Sequence, residues 1–350
     1  GLSGTPGFLA TADYLLHVYG PTGLPFNYSD AGAGREGPVA AMFWFAAARR
    51  EPYLLWSEWA KLEAGGLGKR GDRLDPLLLI WMSGEQPRPP KPAALSWTGR
   101  GPTPVAFHRS GWEPGATYVA IKGGSASTNH AHMDIGTFVM DAEGVRWADD
   151  LGMQSYHSLE SKGIQLWGRA QEAERWKVFR LGTSVHNVLM VNGEQQRVEG
   201  MAPVTLSRAG RTVVDLGEVY QGQLAAARRG VELRPDRTVV VQDEFTAAGE
   251  ASVRWAMLTR AEVRLEGTGQ ATLRRDGRTL RLRVVEPAGA ELRIFATDPP
   301  PAETDEPNPG TRMVGFEVRA AAGEAKRIVV HLAPGRAATE TVAVKPLGEW

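Results

Sequence analysis

The residues with chemical potential crowd into one stretch. Of seven histidines, five fall between His108 and His186. The tightest group is Asn129-His130-Ala131-His132-Met133-Asp134. In an extended strand, positions i, i+2 and i+4 share a face, so His130, His132 and Asp134 are expected to project together. Two imidazoles and a carboxylate on one face suit proton transfer or ligation of a divalent ion such as Zn²⁺. Asp149-Asp150-Leu151-Gly152 and His186-Asn187 could join them, although aspartates there also suit a plain turn. Trp147, Trp167 and Trp176, with Arg169, Arg175 and Arg180, are types that stack on sugar rings and pair with carboxylate or sulfate. The competing expectation is that these tryptophans pack on their own strands. Cysteine is absent, which removes thiolate ligands, disulfides and a cysteine nucleophile.

The elements that must position these groups change character along the chain. Up to about residue 84 the pattern is helical. Pro6 opens a run of Phe8, Leu9, Ala12, Leu15, Leu16 and Tyr19 that Gly20-Pro21 stops; Tyr14 and His17 are expected to pack. Pro38, Pro52 and Asp75-Pro76 open three more helices, each placing proline where its missing N–H costs least. A proline-rich linker is expected over 85–102. Beyond it the period is two: Val105–His108, Tyr118–Ile121, Thr137–Met140, Val188–Val191, Thr238–Val241 and Ile328–His331 read as short strands. Asp141–Gly144 and Asn192-Gly193 read as hairpin turns. Residues 103–350 are therefore expected to form a large antiparallel β-sandwich, with an irregular surface excursion over Leu159–Arg175. Asp298–Gly310, with five prolines and four acids, is expected as a loop that need not be ordered.

Composition bounds the function. The 350 residues carry 40 Lys+Arg against 40 Asp+Glu, so a generally basic nucleic-acid surface is excluded as the main theme. No run approaches the ~18–20 apolar residues of a membrane span. Glycine stands at 41, where average usage gives about 25, in keeping with many turns and short strands.

Taken together, four words resemble the heparinase II/III-like polysaccharide lyases, including alginate lyases of the same build. They are Asn27-Tyr28-Ser29-Asp30-Ala31-Gly32, Asn129–Asp134, Trp147-Ala-Asp-Asp-Leu-Gly152, and His186-Asn187 with Asn192-Gly193. The resemblance implies an α+β multidomain chain, in which the end of an α/α toroid precedes an antiparallel β-sandwich. It implies β-elimination on a uronic-acid-containing glycan, heparan sulfate-like or alginate-like: a base takes the C5 proton and the C4–O bond breaks. It implies that His130 reaches the substrate and that His132, Asp150 and His186 hold one mainly structural divalent ion, expected to be Zn²⁺. Asp150 is preferred to Asp149 because only Asp150 stands two before Gly152. Asp134 is expected to orient an imidazole. Tyr156 is a second catalytic candidate, and Asn129, Asn27 and Tyr28 are candidates for touching the sugar.

The family's Asn-His pair and Tyr lie upstream of the Asn27 word. The resemblance therefore implies a lyase's C-terminal portion, with little activity alone, from a protein exported to the periplasm or beyond. The alternatives are a non-catalytic carbohydrate-binding or scaffold protein that keeps the metal, and another His-x-His metal enzyme. A barrel amidohydrolase needs βα alternation after the motif. A cupin wants a glutamate where Ile135-Gly136 stands.

Overall fold

Proline and glycine divide the first part of the chain into short helices, as their spacing predicts. In the computed structural model, which describes residues 1–32, 34, 37–66, 73–82, 88–335 and 342–350, these are α1 (Thr11–Val18), α2 (Ala40–Arg49), α3 (Trp56–Glu63) and α4 (Pro76–Trp81). Residues 5–10 form turns, so α1 starts later than Pro6. Helix α2 ends at Arg50, whose φ of 56° lets its N–H reach the Ala46 and Ala47 carbonyls. Met42, Phe43, Phe45, Leu54 and Leu78 bury one another, joined by Trp112 from the later part of the chain. Among the described residues no helix is long and apolar enough to cross a membrane.

The expected linker is partly structured. Residues 83–87 lie outside the described residues, and Ser96–Thr98 is a strand, β1, paired with β2 (Val105–Arg109). With β3 (Tyr118–Lys122), β4 (Phe138–Ala142) and β5 (Val145–Ala148) they form a five-stranded sheet in chain order. The hairpin turn between β4 and β5 is confirmed, with Glu143 at φ 54° and Gly144 at φ 78°. Every residue of β2, β3 and β4 is buried, because both faces are covered. Phe107, Tyr118 and Val139 face Val18 and Phe26. Val119, Ile121, Phe138 and Met140 face the main core.

The remaining strands are β6 (Leu189–Val191), β7 (Val204–Arg208), β8 (Arg211–Asp215), β9 (Leu224–Leu233), β10 (Val239–Ala247), β11 (Ala251–Thr259), β12 (Glu262–Leu265), β13 (Gln270–Arg275), β14 (Arg278–Glu286), β15 (Arg293–Ala296), β16 (Arg312–Ala320) and β17 (Ala325–Pro334). They make an eight-stranded sheet, β12-β13-β14-β17-β10-β9-β8-β7, and a four-stranded sheet, β15-β16-β11-β6. All pairings are antiparallel, as expected. Asn192-Gly193 turns the chain, with φ 51° and 74°, but joins no hairpin, since β6 pairs with β11. One apolar core draws on all three sheets, among them Phe138, Trp147, Trp255, Phe316, Val241 and Val330.

The segment after α1 is fastened to the five-stranded sheet by side chains that satisfy its carbonyls. Arg109 Nη2 donates to the carbonyls of His17 at 3.1 Å and Tyr19 at 3.0 Å. Arg146 Nη2 donates to those of Leu24 at 3.2 Å and Pro25 at 3.1 Å. Such buried bonds leave the segment little freedom, and it ends at Ser29-Asp30, beside the histidine motif.

Candidate active site

The histidine motif is not a strand. Residues 123–137 form turns between β3 and β4. This corrects the expectation that His130, His132 and Asp134 share one strand face. His130 takes φ 60°, a left-handed conformation that costs a non-glycine residue energy and is over-represented at functional sites. The reversal leaves His130 exposed while His132 and Asp134 are fully buried. The loop is tied at both ends. Gly124 and Ala202 exchange two backbone hydrogen bonds of 2.9 Å. The Gln196 amide bonds both N–H and C=O of Ile135, at 3.0 and 2.8 Å.

Asp30 is the hub. Its Oδ2 accepts from His130 Nδ1 at 2.8 Å and from the Tyr156 hydroxyl, and its Oδ1 accepts from His132 Nε2 at 3.0 Å. The Tyr156 oxygen also lies 2.8 Å from His130 Nδ1. Burial alone would raise the Asp30 pKa, but hydrogen bonds from His132, Tyr156 and His130 outweigh it and hold the carboxyl below its usual range. The Tyr156 hydroxyl is driven up, first by burial and then by the bond to Asp30, so it stays a phenol. With His130 Nδ1–H pointed at Asp30, the bonding assigns the lone pair to Nε2. The two loops meet directly, the Asp30 N–H donating to the His130 carbonyl at 3.3 Å.

A second, buried group lies behind the first. Its imidazoles, His132 and His186, have ring centroids 5.4 Å apart. His186 Nδ1 donates to Asp150 Oδ2 at 2.8 Å, while Asp150 Oδ1 accepts the Gly152 N–H at 2.8 Å. Burial lowers the His132 pKa, keeping that ring neutral. At His186 burial also pulls down, but the charge and hydrogen bond of Asp150 overcome it and the pKa rises. Two nitrogens, His132 Nδ1 and His186 Nε2, are buried with no hydrogen-bond partner. Carboxylates on the opposite ring nitrogens hold the protons there when the rings are neutral, and the two partnerless nitrogens then carry the lone pairs a metal requires. In that respect the residues suit a divalent ion. Asp150 is turned onto His186, and among the described residues no three carboxylate, imidazole or thiol groups converge to hold one. Asp149 is turned elsewhere, onto Arg260 at 2.8 Å.

Asn187, next to His186, shows why that segment sits where it does. Its amide donates to the carbonyls of Phe138 at 2.7 Å and Asp149 at 2.9 Å and accepts the Leu258 N–H at 2.6 Å. One side chain thus ties β4, the end of β5 and β11 together.

Three expected roles are corrected. Asp134 bonds no imidazole. It forms a buried ion pair with Lys122 and accepts the Ser29 N–H at 2.9 Å, because a lysine ammonium buried on β3 demands a carboxylate. Asn27 is buried and does not face the sugar; its amide donates to the Asp150 carbonyl at 3.0 Å. Tyr28 packs against Phe26 and bonds the Tyr14 hydroxyl at 2.9 Å. Asn129 is exposed beside the site, with its oxygen on Arg169 Nη2. Sequence reasoning gave Asp30 no role, although it is the one acid of the Asn-Tyr-Ser-Asp word. It also passed over Lys122 and Gln196, whose polar character in apolar surroundings was the available signal.

A short helix, α5 (Tyr156–Glu160), leads into the excursion expected over Leu159–Arg175 and presents Tyr156 to Asp30. Leu159, Leu166, Val178 and Leu181 bury one another beneath it. The proline-rich loop 298–310 props it from outside. The Thr304 carbonyl accepts from Gln154 Nε2 at 2.8 Å, and Asn308 Oδ1 accepts from Arg180 Nε at 2.9 Å. Trp147 and Trp176 are buried, as packing residues, whereas Trp167 is exposed.

Residues 99–335 match the family model described as "Heparinase II/III-like, C-terminal". Among solved structures, a heparinase III aligns with 15% identity and a TM-score of 0.68, over 95% of this chain and 49% of its own. A heparan sulfate lyase from Pedobacter heparinus aligns with 14% identity and a TM-score of 0.66, over 94% and 46%. At such identities the likeness is one of fold. The chain spans about half the length of these structures. No curated protein matches it significantly.

Proposed function

Because this chain belongs to the heparinase II/III-like C-terminal family, we propose that it serves a polysaccharide lyase that cleaves a uronic-acid-containing glycan by β-elimination. The observation that supports this most is the exposed pairing of His130 and Tyr156 on the Asp30 carboxylate. The proton at C5 of a uronate is weakly acidic, so elimination needs a positioned base, a proton donor and cations that tolerate charge developing beside the carboxylate. His130 Nε2 takes the C5 proton. The C4–O bond breaks, and the Tyr156 hydroxyl gives its proton to the leaving oxygen. His130 Nδ1, 2.8 Å from the Tyr156 oxygen, then returns a proton to it. One proton has moved from C5 to O4 and Asp30 remains a carboxylate throughout; His130 is left with its proton on Nε2, and exchange with water returns it to Nδ1 before the next turnover. Arg175 supplies positive charge. It is buried, its Nη2 donates to the Ala131 carbonyl at 2.8 Å, and its charge is felt at Asp30 and Tyr156.

We further propose that His132 and His186 hold a divalent ion, Zn²⁺ by donor type, with Asp150 orienting the His186 ring through Nδ1. The two partnerless buried nitrogens support this. Its work is structural: it would join the motif loop to the segment before β6 and so steady His130. Export from the cytoplasm and a heparan sulfate-like or alginate-like substrate belong to the same proposal.

The test is ultraviolet detection of unsaturated uronate from heparan sulfate, alginate and other uronic glycans, on the protein in its full-length form. Turnover is expected, with a drop of roughly 10²–10⁴-fold in His130→Ala and in Asp30→Asn, and with melting nearly unchanged for the exposed His130. Binding without turnover would leave a carbohydrate-binding protein and end the lyase reading.

A further inference from the structure

Trp167 stands at the lip of the site with 60% of its surface exposed. Its ring meets His130 edge-on at 6.1 Å and 88°, and Tyr156 at 5.2 Å and 85°. Its Nε1 donates to Glu160 Oε1 at 3.0 Å. The indole therefore stands perpendicular to both rings and is fixed by its N–H, with much of its surface open to solvent. An aromatic this exposed, next to polar catalytic groups, marks a binding surface more than a packing one. Two residues on, Arg169 donates to the neutral Asn129, and among the described residues no carboxylate lies within ion-pair distance of it. Arg169 also lines a cleft of about 580 Å³, shared with Gln171, Arg197, Glu199 and Glu218, a volume typical of small-ligand sites.

We propose that Trp167 and Arg169 form a subsite for the sugar adjoining the one that meets His130. The indole stacks on the pyranose ring, and the guanidinium pairs with its carboxylate or sulfate. Two features argue for an anionic sugar. Among the described residues Arg169 has no carboxylate partner, and a guanidinium fork matches carboxylate and sulfate geometry. Glu199 and Glu218, both exposed along the same cleft, are acceptors for ring hydroxyls. The inference rests on the uronate reading of the site and extends it to a second residue of the glycan. It makes Trp167 and Arg169 binding residues, with no part in the proton transfers.

The test is isothermal titration on a His130→Ala background, where turnover is slowed roughly 10²–10⁴-fold. The probes are tetrasaccharides of unsulfated heparosan, N-sulfated heparan and polymannuronate, with neutral cellotetraose as control. At least one uronate is expected to bind and cellotetraose not to. Trp167→Ala should weaken binding at least tenfold, while Trp167→Phe keeps most of it. Arg169→Gln should flatten the salt dependence, and its ratio between heparosan and N-sulfated heparan tells carboxylate from sulfate. Melting temperatures near that of the parent show that the variants fold. Unchanged affinity in Trp167→Ala, or no uronate binding at all, overturns the subsite. Turnover by the wild type with unchanged binding in Trp167→Ala ends the subsite and keeps the lyase. Trp167-dependent binding with no turnover by the wild type does the reverse.

Discussion

Two neighbouring histidines of one motif are given different surroundings by a single reversed backbone angle, and the proposed roles divide with them. His130, at φ 60°, turns outward to Asp30 and Tyr156. His132 turns inward, with Nε2 on the other oxygen of Asp30 and Nδ1 buried without a partner. The expected consequence is a clean division of phenotype. His132→Ala should lose bound metal, read by elemental analysis of protein purified without added ions. It should also lower the melting temperature, since an ion bound only by the folded state stabilises it by mass action. His130→Ala should change neither. If His130→Ala also strips the metal, both rings are ligands and the catalytic role of His130 falls. A metal-free, normally melting wild type removes the ion from the account.

At the level of elements, the site is built from loops pressed together, and one glycine shows how closely. Gly152 has φ 65°, and a Cβ there would stand 2.7 Å from the Ala31 carbonyl oxygen. That carbonyl is next to Asp30, so the Asp-x-Gly word is needed for the approach of two chains as well as for its aspartate. Gly144, in the β4–β5 turn, has φ 78° but open space around its Cα. Gly144→Ala should cost only the left-handed strain, about 1 kcal/mol. Gly152→Ala should add a backbone clash, for a loss of about 2–4 kcal/mol, and should displace Asp30. Chemical denaturation of both variants measures the difference. Equal losses would show that the two segments are not in tight contact.

Across the whole molecule, buried neutral histidines make stability depend on pH. Burial, helped by nearby Arg109, drives the His17 pKa down to about 3, and burial drives His108 down to about 4. His108 is held between the Ser96 and Thr212 hydroxyls, each at 2.8 Å. An unfolded histidine takes up its proton near pH 6.5. Between that value and about 4 the unfolded chain therefore binds more protons than the folded one, so stability falls as pH falls and is flat above. Each such histidine contributes a slope of about 1.4 kcal/mol per pH unit. Urea midpoints between pH 6.5 and pH 5 should show this slope, and His108→Gln should reduce it by one histidine's share, about 1.4 kcal/mol per pH unit, leaving that of His17. A wild-type slope retained in that variant would place the acid sensitivity elsewhere.

Period-two apolar runs and turn residues carried the antiparallel sheets, because alternation and punctuation are local properties of a strand. Proline placement carried the helices for the same reason. The gathering of His130, His132, Asp150 and His186 was legible as a set of types able to move protons or bind metal. What was not legible was which neighbour each would meet. Asp30 and His130 are 100 residues apart, and Asp150 lies 123 from Asn27. No local pattern announces that Asn27 and Tyr28 turn inward, that Lys122 takes Asp134 for itself, or that Trp167 alone of its neighbouring tryptophans stays in solvent. Those choices follow from the docking of the segment after α1 onto the five-stranded sheet and from the covering of one loop by another. Burial and pairing at such separations are set by the assembled surfaces, so only the tertiary structure decides them.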